Sequence, residues 1–195
     1  MSISASEVSF RKRLAEEWPG LTDTQAIALA RHYELMLRWN VRLNLTRVTK
    51  LEDAVRFHYG ESLFLARVLP PGALHIVDVG SGAGFPGIPI AVVRPECTVD
   101  LVDSDRRKAV FLREATRDIA NTTVIAKRAE DFEPNYDWIV SRAVSVREVL
   151  ETGLAPKAAL LIGESDASSA FEVRNLPWVE RRVVGLFHVE QRSAT

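Results

Sequence analysis

A run of glycines after the first strand-like segment is the strongest candidate for a ligand-binding loop. Residues 77–87 read Val-Asp-Val-Gly-Ser-Gly-Ala-Gly-Phe-Pro-Gly. Gly80, Gly82 and Gly84 let the backbone turn sharply and approach a ligand closely, because no Cβ stands in the way. From Gly82 onward the residues also fit the G-x-G-x-x-G pattern of a dinucleotide site, whereas a P-loop is excluded because no lysine occurs between residues 78 and 93.

The charge of Asp78 decides between the two ligands that such a loop can hold. A dinucleotide places its pyrophosphate at the N-terminus of the following helix, where the carboxylate of Asp78 would repel it. The same carboxylate favours an ammonium or sulfonium group, such as that of S-adenosylmethionine. Pro86 and Pro89 also suit an opening helical turn poorly beyond its first position. We therefore predict an S-adenosylmethionine site rather than a dinucleotide site or a glycine turn without a ligand.

Residues after the second and third strand-like runs fit a nucleoside. Asp103 lies nineteen residues beyond Gly84, a spacing at which an acid accepts hydrogen bonds from ribose hydroxyls. The alternative role for Asp103 is a helix N-cap, but Ser104 or Asp105 can cap equally well. Backbone amides at residues 129–130 (Ala129 and Glu130), or a carboxylate of the same loop, would then bond the edge of the base.

Arg142 follows the fourth strand-like run and has two interpretations of equal weight. An arginine directly after a buried strand either points into the ligand crevice or pairs with an acid, here Asp78 or Asp103. In the first case its guanidinium places a hydrogen bond or a positive charge beside the substrate.

The elements that must position these residues alternate along the chain. Before residue 74 the pattern is helical, with a capping-box sequence at residues 22–25 and a helix over 51–68 that stops at Pro70. Later, apolar runs alternate with helical patterns, which predicts a mostly parallel, doubly wound α/β sheet. We expect a helical extension over 1–73, packed on a core over 74–195, and an antiparallel edge hairpin turning at Gly185. The predicted strands cover 75–79, 98–102, 122–126, 138–141, 158–162 and 179–184.

Composition sets the limits of this interpretation. The 195 residues carry 25 Lys+Arg and 26 Asp+Glu, a net charge of -1, with 47% hydrophobic residues. This excludes a disordered chain and a globally basic nucleic-acid binder, so any RNA-binding surface is a local patch. Cys97 cannot form an internal disulfide, which fits a reducing compartment. We expect a cytoplasmic monomer with no metal site and no membrane association.

Several motifs together resemble one family, ribosomal small subunit methyltransferase G, also called glucose-inhibited division protein B. The resemblance covers about residues 22–163, and the Phe-Pro-Gly-Ile-Pro continuation of the glycine loop is its most specific part. It implies a Rossmann-like class I methyltransferase fold with an N-terminal helical cap. It also implies a bacterial enzyme that methylates N7 of a guanine in 16S ribosomal RNA. The motifs that carry it are Trp39-Asn40, Asn44-Leu45-Thr46, His58 with Ser62, residues 77–89, residues 101–104, residues 128–130 and residues 141–143.

The resemblance also assigns roles to individual residues. It implies contacts to the methyl donor from Gly80, Phe85, Ala129, Glu130 and Arg142. Two positions depart from the family pattern: Glu61 replaces the usual aspartate, and Ile162-Gly163 replaces a Lys-Gly pair, so a basic group is missing there. Basic positions linked to RNA binding and catalysis are Arg107, Lys108 and Arg128, and Arg106 belongs to the same cluster.

The residues predict a reaction without a general base. Guanine N7 carries a free lone pair, and methyl transfer from a sulfonium mainly requires alignment. The residues themselves make Arg142 a candidate catalytic residue, and the resemblance adds Lys108 and Arg128. The RNA-binding candidates are Arg106, Arg107, Lys108 and Arg128, and the partner is 16S ribosomal RNA or the small ribosomal subunit. Two rival functions remain, a small-molecule methyltransferase and a weakly active donor-binding protein that docks on ribosomal RNA.

Overall fold

The computed structural model describes residues 4–131, 133 and 135–188, and its centre is one seven-stranded sheet. The strand order is β3-β2-β1-β4-β5-β7-β6, with parallel pairing from β3 through β5 and antiparallel pairing of β7 with both its neighbours. The predicted mostly parallel, doubly wound sheet is confirmed. The strands are β1 His75–Val79, β2 Thr98–Val102, β3 Thr122–Ile125, β4 Trp138–Arg142, β5 Lys157–Gly163, β6 Glu172–Asn175 and β7 Arg182–His188.

Helices precede the sheet and alternate with its strands. They are α1 Ala5–Glu17, α2 Asp23–Leu43, α3 Leu51–Ala54, α4 Glu61–Val68, α5 Gly87–Val93, α6 Arg106–Ala115 and α7 Val146–Glu151. The capping box of Thr22 and Gln25 opens α2, as predicted. The helix predicted over 51–68 also forms, but its middle, Val55–Gly60, is a π-helical turn between α3 and α4. Such turns are frequent at functional sites.

The N-terminal helices share one hydrophobic core with the sheet. Phe10 stacks on Tyr33 with ring centroids 4.7 Å apart, and it meets the edge of Tyr59 at 4.8 Å. Tyr59 in turn lies 5.0 Å from Phe85, which follows the glycine loop. A chain of buried rings therefore connects α1 and α2 to the loop after β1. Among the described residues, no helix combines the length and hydropathy needed to cross a membrane.

The prediction of an antiparallel hairpin that turns at Gly185 is wrong. β7 runs without interruption through Gly185, which pairs with Leu160 of β5, while residue 189 of the predicted hairpin lies outside the described residues. A Cβ at Gly185 would come within 2.9 Å of the Phe171 ring and 3.0 Å of the Ile162 side chain. Glycine is therefore present because neighbouring side chains pack closely on the strand, and not because the chain turns.

Candidate active site

A cavity of about 540 Å³ opens at the carboxyl ends of β1, β2 and β4. In sheets of this topology, ligands bind in the crevice where the strand order reverses, which here lies between β1 and β4. The volume is within the range of pockets that hold small molecules and cofactors. Its wall is formed by Leu45, His58, Val79, Gly80, Ser81, Gly82, Ala83, Phe85, Val102, Asp103, Ser104, Lys108, Lys127, Arg128, Ala129, Arg142, Ala143, Val144, Glu148 and Thr152.

The glycine loop forms the floor of this cavity in a conformation that requires glycine. Gly80 has a φ of 72°, and a Cβ placed there would lie 2.5 Å from Cγ2 of Val144. Gly82 has a φ of 56°, and its amide donates to Oδ2 of Asp103 at 2.9 Å. The backbone of the loop thus leaves space for a ligand, and a side chain at residue 80 would obstruct that space.

Asp78 lies beneath the loop and is absent from the residues that line the cavity. It is fully buried, and its Oδ2 accepts a hydrogen bond from the amide of Gly87, the first residue of α5, at 2.9 Å. Burial raises the pKa of Asp78 to about 7, although the Gly87 hydrogen bond opposes this shift. The carboxylate therefore occupies the helix terminus that a pyrophosphate would use.

Asp103 reaches the cavity with both carboxylate oxygens also bonded to backbone. Oδ2 accepts from Gly82 and Oδ1 accepts from the amide of Asp105 at 2.8 Å. The N-cap of α6 is Asp105, whose side chain accepts from the Arg107 amide. Asp103 is therefore not the helix cap, and its carboxylate is held rigidly at the cavity wall.

Arg142 both lines the ligand cavity and forms an ion pair, so the two roles predicted as alternatives occur together. Its acidic partner is Glu61, with Nη1 and Oε2 3.6 Å apart, instead of Asp78 or Asp103. Nη1 also donates to the carbonyl of Phe57 in the π-helical turn at 2.8 Å. The guanidinium carbon lies 5.6 Å from the centre of the Phe85 ring. The helical cap thus fixes the arginine at the end of β4.

His58 of the π-helical turn is held between Arg142 and Thr46. Nδ1 lies 2.6 Å from Nη2 of Arg142, and Nε2 lies 2.7 Å from Oγ1 of Thr46. Its ring stacks on Phe85 at 4.6 Å. Burial, followed by the charge of Arg142, lowers the pKa of His58 to about 3. The imidazole is neutral at physiological pH, and both its nitrogens are engaged.

Asn40 and Asn44 serve the backbone between α2 and the cavity. Asn44 ends α2 in the left-handed conformation, with φ 48° and ψ 48°. The side chain of Asn40 bonds both the amide and the carbonyl of Thr46, at 2.8 Å and 3.0 Å. Both residues thus have a structural role here, and Asn40 holds the residue that contacts His58.

A second buried histidine, which the sequence did not indicate, supports the glycine loop from behind. Nε2 of His32 lies 2.9 Å from the carbonyl oxygen of Ala83, and Nδ1 lies 2.8 Å from the hydroxyl of Tyr59. Burial lowers the pKa of His32 to about 4. The neutral ring therefore donates to Ala83 and accepts from Tyr59. Its position on the apolar face of a helix gave no signal beyond that of a core residue.

Arg182 supplies a basic group where Ile162-Gly163 lacks one. It pairs in register with Gly163 across β5 and β7. Its Nη2 donates to Oε2 of Glu61 at 2.9 Å, and its Nε lies 2.8 Å from Oε1. Burial raises the pKa of Glu61, whereas Arg182 and Arg142 lower it. One carboxylate thus faces two guanidinium groups, which leaves the cluster with excess positive charge.

The predicted basic residues divide between the cavity and the surface. Lys108 and Arg128 line the cavity together with Ala129. Arg106 and Arg107 are exposed on the first turn of α6, and Arg107 is 3.4 Å from the carboxylate of Asp105. Glu130 belongs to the short 3₁₀ turn Ala129–Asp131, but its side chain lies outside the described part.

Comparison with known proteins agrees with this architecture. The chain has the fold of a SAM dependent methyltransferase from Aquifex aeolicus, with a TM-score of 0.52 and 15% identity over 69% of this chain and 92% of that one. This similarity concerns the fold alone, which is the predicted Rossmann-like methyltransferase fold.

Curated proteins found by sequence comparison share a higher percentage of identical residues with this chain. The chain is 41% identical to ribosomal RNA small subunit methyltransferase G of Dichelobacter nodosus, over 73% of this chain and 69% of that protein. It is 36% identical to the protein of the same name from Desulforamulus reducens over 70% of this chain, a match that spans only 60% of that relative's length. The family model described as rRNA small subunit methyltransferase G matches residues 25–159. The chain therefore belongs to the rRNA small subunit methyltransferase G family, GidB.

Proposed function

We propose that this protein transfers a methyl group from S-adenosylmethionine to N7 of a guanine in 16S ribosomal RNA. The observation that carries the proposal is the cavity at the β1–β4 switch point, where Gly80, Asp103 and Arg142 converge. The names of the relatives support RNA of the small ribosomal subunit as the substrate. We further propose that the protein acts in the cytoplasm as a monomer.

The cavity wall fits a nucleoside better than it fits a dinucleotide. Gly80 leaves room above the loop, and the carboxylate of Asp103 can accept from ribose hydroxyls while it stays bonded to Gly82. The amide of Gly87 is already bonded to Asp78, so the terminus of α5 offers less to a pyrophosphate. Ala129 in the cavity wall, with the backbone of Glu130 beside it, would contact the base.

The residues present match a displacement that needs no base. When guanine N7 donates its lone pair to the sulfonium methyl carbon, the C–S bond breaks, its electrons return to sulfur, and the purine carries the positive charge. His58 is the histidine in the cavity wall, but Arg142 and Thr46 occupy both its nitrogens. The protein's contribution is therefore alignment of the two reactants.

Arg142 is the residue best placed to align them. Its guanidinium is fixed from behind by Phe57, His58 and Glu61 while it lines the cavity. A cation held in this way can bind the carboxylate of the donor's methionine moiety or the guanine oxygen. Lys108 and Arg128, which line the same cavity, are proposed to contact the RNA together with Arg106 and Arg107.

A direct test is methylation of undermethylated small ribosomal subunits. The protein and radiolabelled S-adenosylmethionine are incubated with these subunits, and the modified nucleotide is mapped. We expect label at N7 of one guanine of 16S ribosomal RNA. Label on another atom or another RNA would refute the stated specificity, whereas transfer only to small molecules would favour the small-molecule methyltransferase. Donor binding without any transfer would favour the protein that merely docks on ribosomal RNA.

A further inference from the structure

A second cavity of about 490 Å³ adjoins the first one at the carboxyl end of β4. The two cavities share Ala143 and Val144, which follow Arg142. The two cavities therefore border the same two residues at the end of β4. The wall of the second cavity comprises Ala143, Val144, Ser145, Val146, Leu161, Ile162, Gly163, Asp166 and Arg182.

The charged side chains of this cavity come from beyond the family match. That match ends at residue 159, whereas Asp166 follows β5 and Arg182 begins β7. The segment after residue 159 therefore adds one acid and one base to a cavity beside the reaction centre, and the family match assigns neither residue a role.

Arg182 presents a free donor group to this cavity. Its Nε and Nη2 face the carboxylate of Glu61, whereas Nη1 has no hydrogen bond to the residues that the structure describes. The side chain is 37% exposed, while the Glu61 side chain is 1% exposed. The buried carboxylate thus fixes the guanidinium and leaves Nη1 available to an acceptor.

Asp166 contributes a carboxylate to the same cavity. It ends the 3₁₀ turn Glu164–Asp166, and its Oδ2 lies 3.0 Å from the place that a Cβ on Gly163 would take. The glycine therefore lets the carboxylate fold over the end of β5. Within residues 4–131, 133 and 135–188, no side chain or amide donates to this carboxylate.

The chain between the two cavities is held in an unfavourable backbone conformation. Ala143 has a φ of 64°, in the left-handed region that residues with a Cβ rarely adopt. Such conformations cluster at functional sites, where surrounding structure maintains them. Arg142, fixed by its contacts to the helical cap, directly precedes this residue.

We propose that the second cavity binds the acceptor guanine, with Asp166 and Arg182 reading its base edge. The proposal rests on the methyltransferase function given above. Guanine offers N1–H and N2–H₂ as neighbouring donors to one carboxylate, and its adjacent O6 accepts from Arg182. Adenine presents an acceptor at N1 and would leave the carboxylate unpaired. N7 lies next to O6 on the adjoining edge of the base, which stays unoccupied by these two side chains and would face the first cavity.

Nucleotide binding tests this pocket independently of methylation. Guanosine and adenosine 5′-monophosphates are titrated into the full chain with saturating S-adenosylhomocysteine, and affinity is followed by NMR. We expect the wild type to prefer the guanosine nucleotide by at least about tenfold. Asp166→Asn should reduce this preference to about threefold or less without changing S-adenosylhomocysteine affinity. Glu164→Gln, in the same turn but outside the cavity wall, should behave as wild type.

A charge-preserving variant tests Arg182. Arg182→Lys keeps a cation beside Glu61 but loses the second arm of the fork, so it should weaken guanosine nucleotide binding at least about threefold with an unchanged circular dichroism spectrum. An unaltered guanosine preference in Asp166→Asn, or no nucleotide binding by wild type, would overturn the proposal. If wild type methylates ribosomal RNA under either outcome, only the pocket assignment fails. If wild type methylates nothing but Asp166→Asn loses the preference, only the proposed function fails.

Discussion

Arg142 donates a hydrogen bond to Nδ1 of His58 across 2.6 Å, and this contact joins the end of β4 to the π-helical turn. Arginine has no acceptor, so Nδ1 of His58 must carry a lone pair and Nε2 must carry the proton. Nε2 therefore donates to Oγ1 of Thr46. The tautomer of the histidine follows from its two neighbours, and in return the histidine fixes the direction of the guanidinium.

Replacing Arg142 by lysine should slow methyl transfer strongly. Lysine keeps the charge but cannot contact Phe57 and His58 together through a planar fork. We expect the single-turnover rate on undermethylated small subunits to fall at least about tenfold. Arg147→Lys, on α7 with its side chain 86% exposed, is the matched control and should leave the rate unchanged. Equal rates for the two variants would contradict a positioning role for Arg142.

The glycine loop offers a second matched pair of variants. Gly80→Ala would place a Cβ 2.5 Å from Val144 and would impose a φ of 72° on alanine. Gly72→Ala imposes a φ of 101°, but nothing lies within 4 Å of the new Cβ. Both changes force alanine into a sparsely populated backbone region, at a cost of about 1–3 kcal/mol each. We expect only Gly80→Ala to weaken S-adenosylmethionine binding, by at least about tenfold in calorimetric titration. Equal S-adenosylmethionine affinities in both variants would show that the donor does not bind against this loop.

His32 should make the protein less stable in mild acid. Its pKa is about 4 in the folded chain and 6.5 as the ordinary value, so between these values the unfolded chain binds the additional proton. The loss of unfolding free energy that the neutral His32 ring causes is absent above pH 6.5 and grows as the pH falls towards 4. The unfolding free energy of wild type minus that of His32→Gln should therefore fall by about 1.4 kcal/mol per pH unit in this window. A pH-independent difference, measured by urea unfolding, would show that His32 is not buried as a neutral ring.

Salt dependence should identify the RNA-binding surface. Arg107 is exposed at the start of α6, with Asp105 as its ion-pair partner. If it contacts a phosphate, Arg107→Gln should reduce the slope of log affinity against log salt concentration by about 0.7 to 0.9. Lys12→Gln removes the same charge from the exposed face of α1 and should leave the slope unchanged. A flat salt response in wild type would instead indicate a small-molecule acceptor.

Local patterns allowed much of the fold and part of the site to be predicted. The glycines after β1 and the acid at the end of β2 were visible, because turns and strand ends have short-range signatures. Strand β6 could not be predicted, since Glu172–Asn175 is exposed throughout and lacks an apolar pattern. Gly185 resembles a turn residue in the sequence, because the sequence does not reveal the side chains that pack closely against the strand.

The partners of the charged residues could not be read from the sequence. The sequence indicates Asp78 and Asp103 as the acids near Arg142, yet the ion-pair partner is Glu61, 81 positions earlier in the chain. That pairing depends on how the helical cap docks on the sheet, a long-range contact without a local pattern. The same docking makes His32 a support of the glycine loop.

Because of the π-helical turn, the number of residues between Leu51 and Val68 determines which side chains face Arg142. Each residue of an α-helix advances the direction of its side chain by about 100°, so deleting Tyr59 or Gly60 would rotate the part that begins at Glu61 against the part that ends at His58. His58 and Glu61, which now both face Arg142, would then point to different sides. Insertions and deletions in this stretch should therefore be far more damaging than substitutions at its exposed positions.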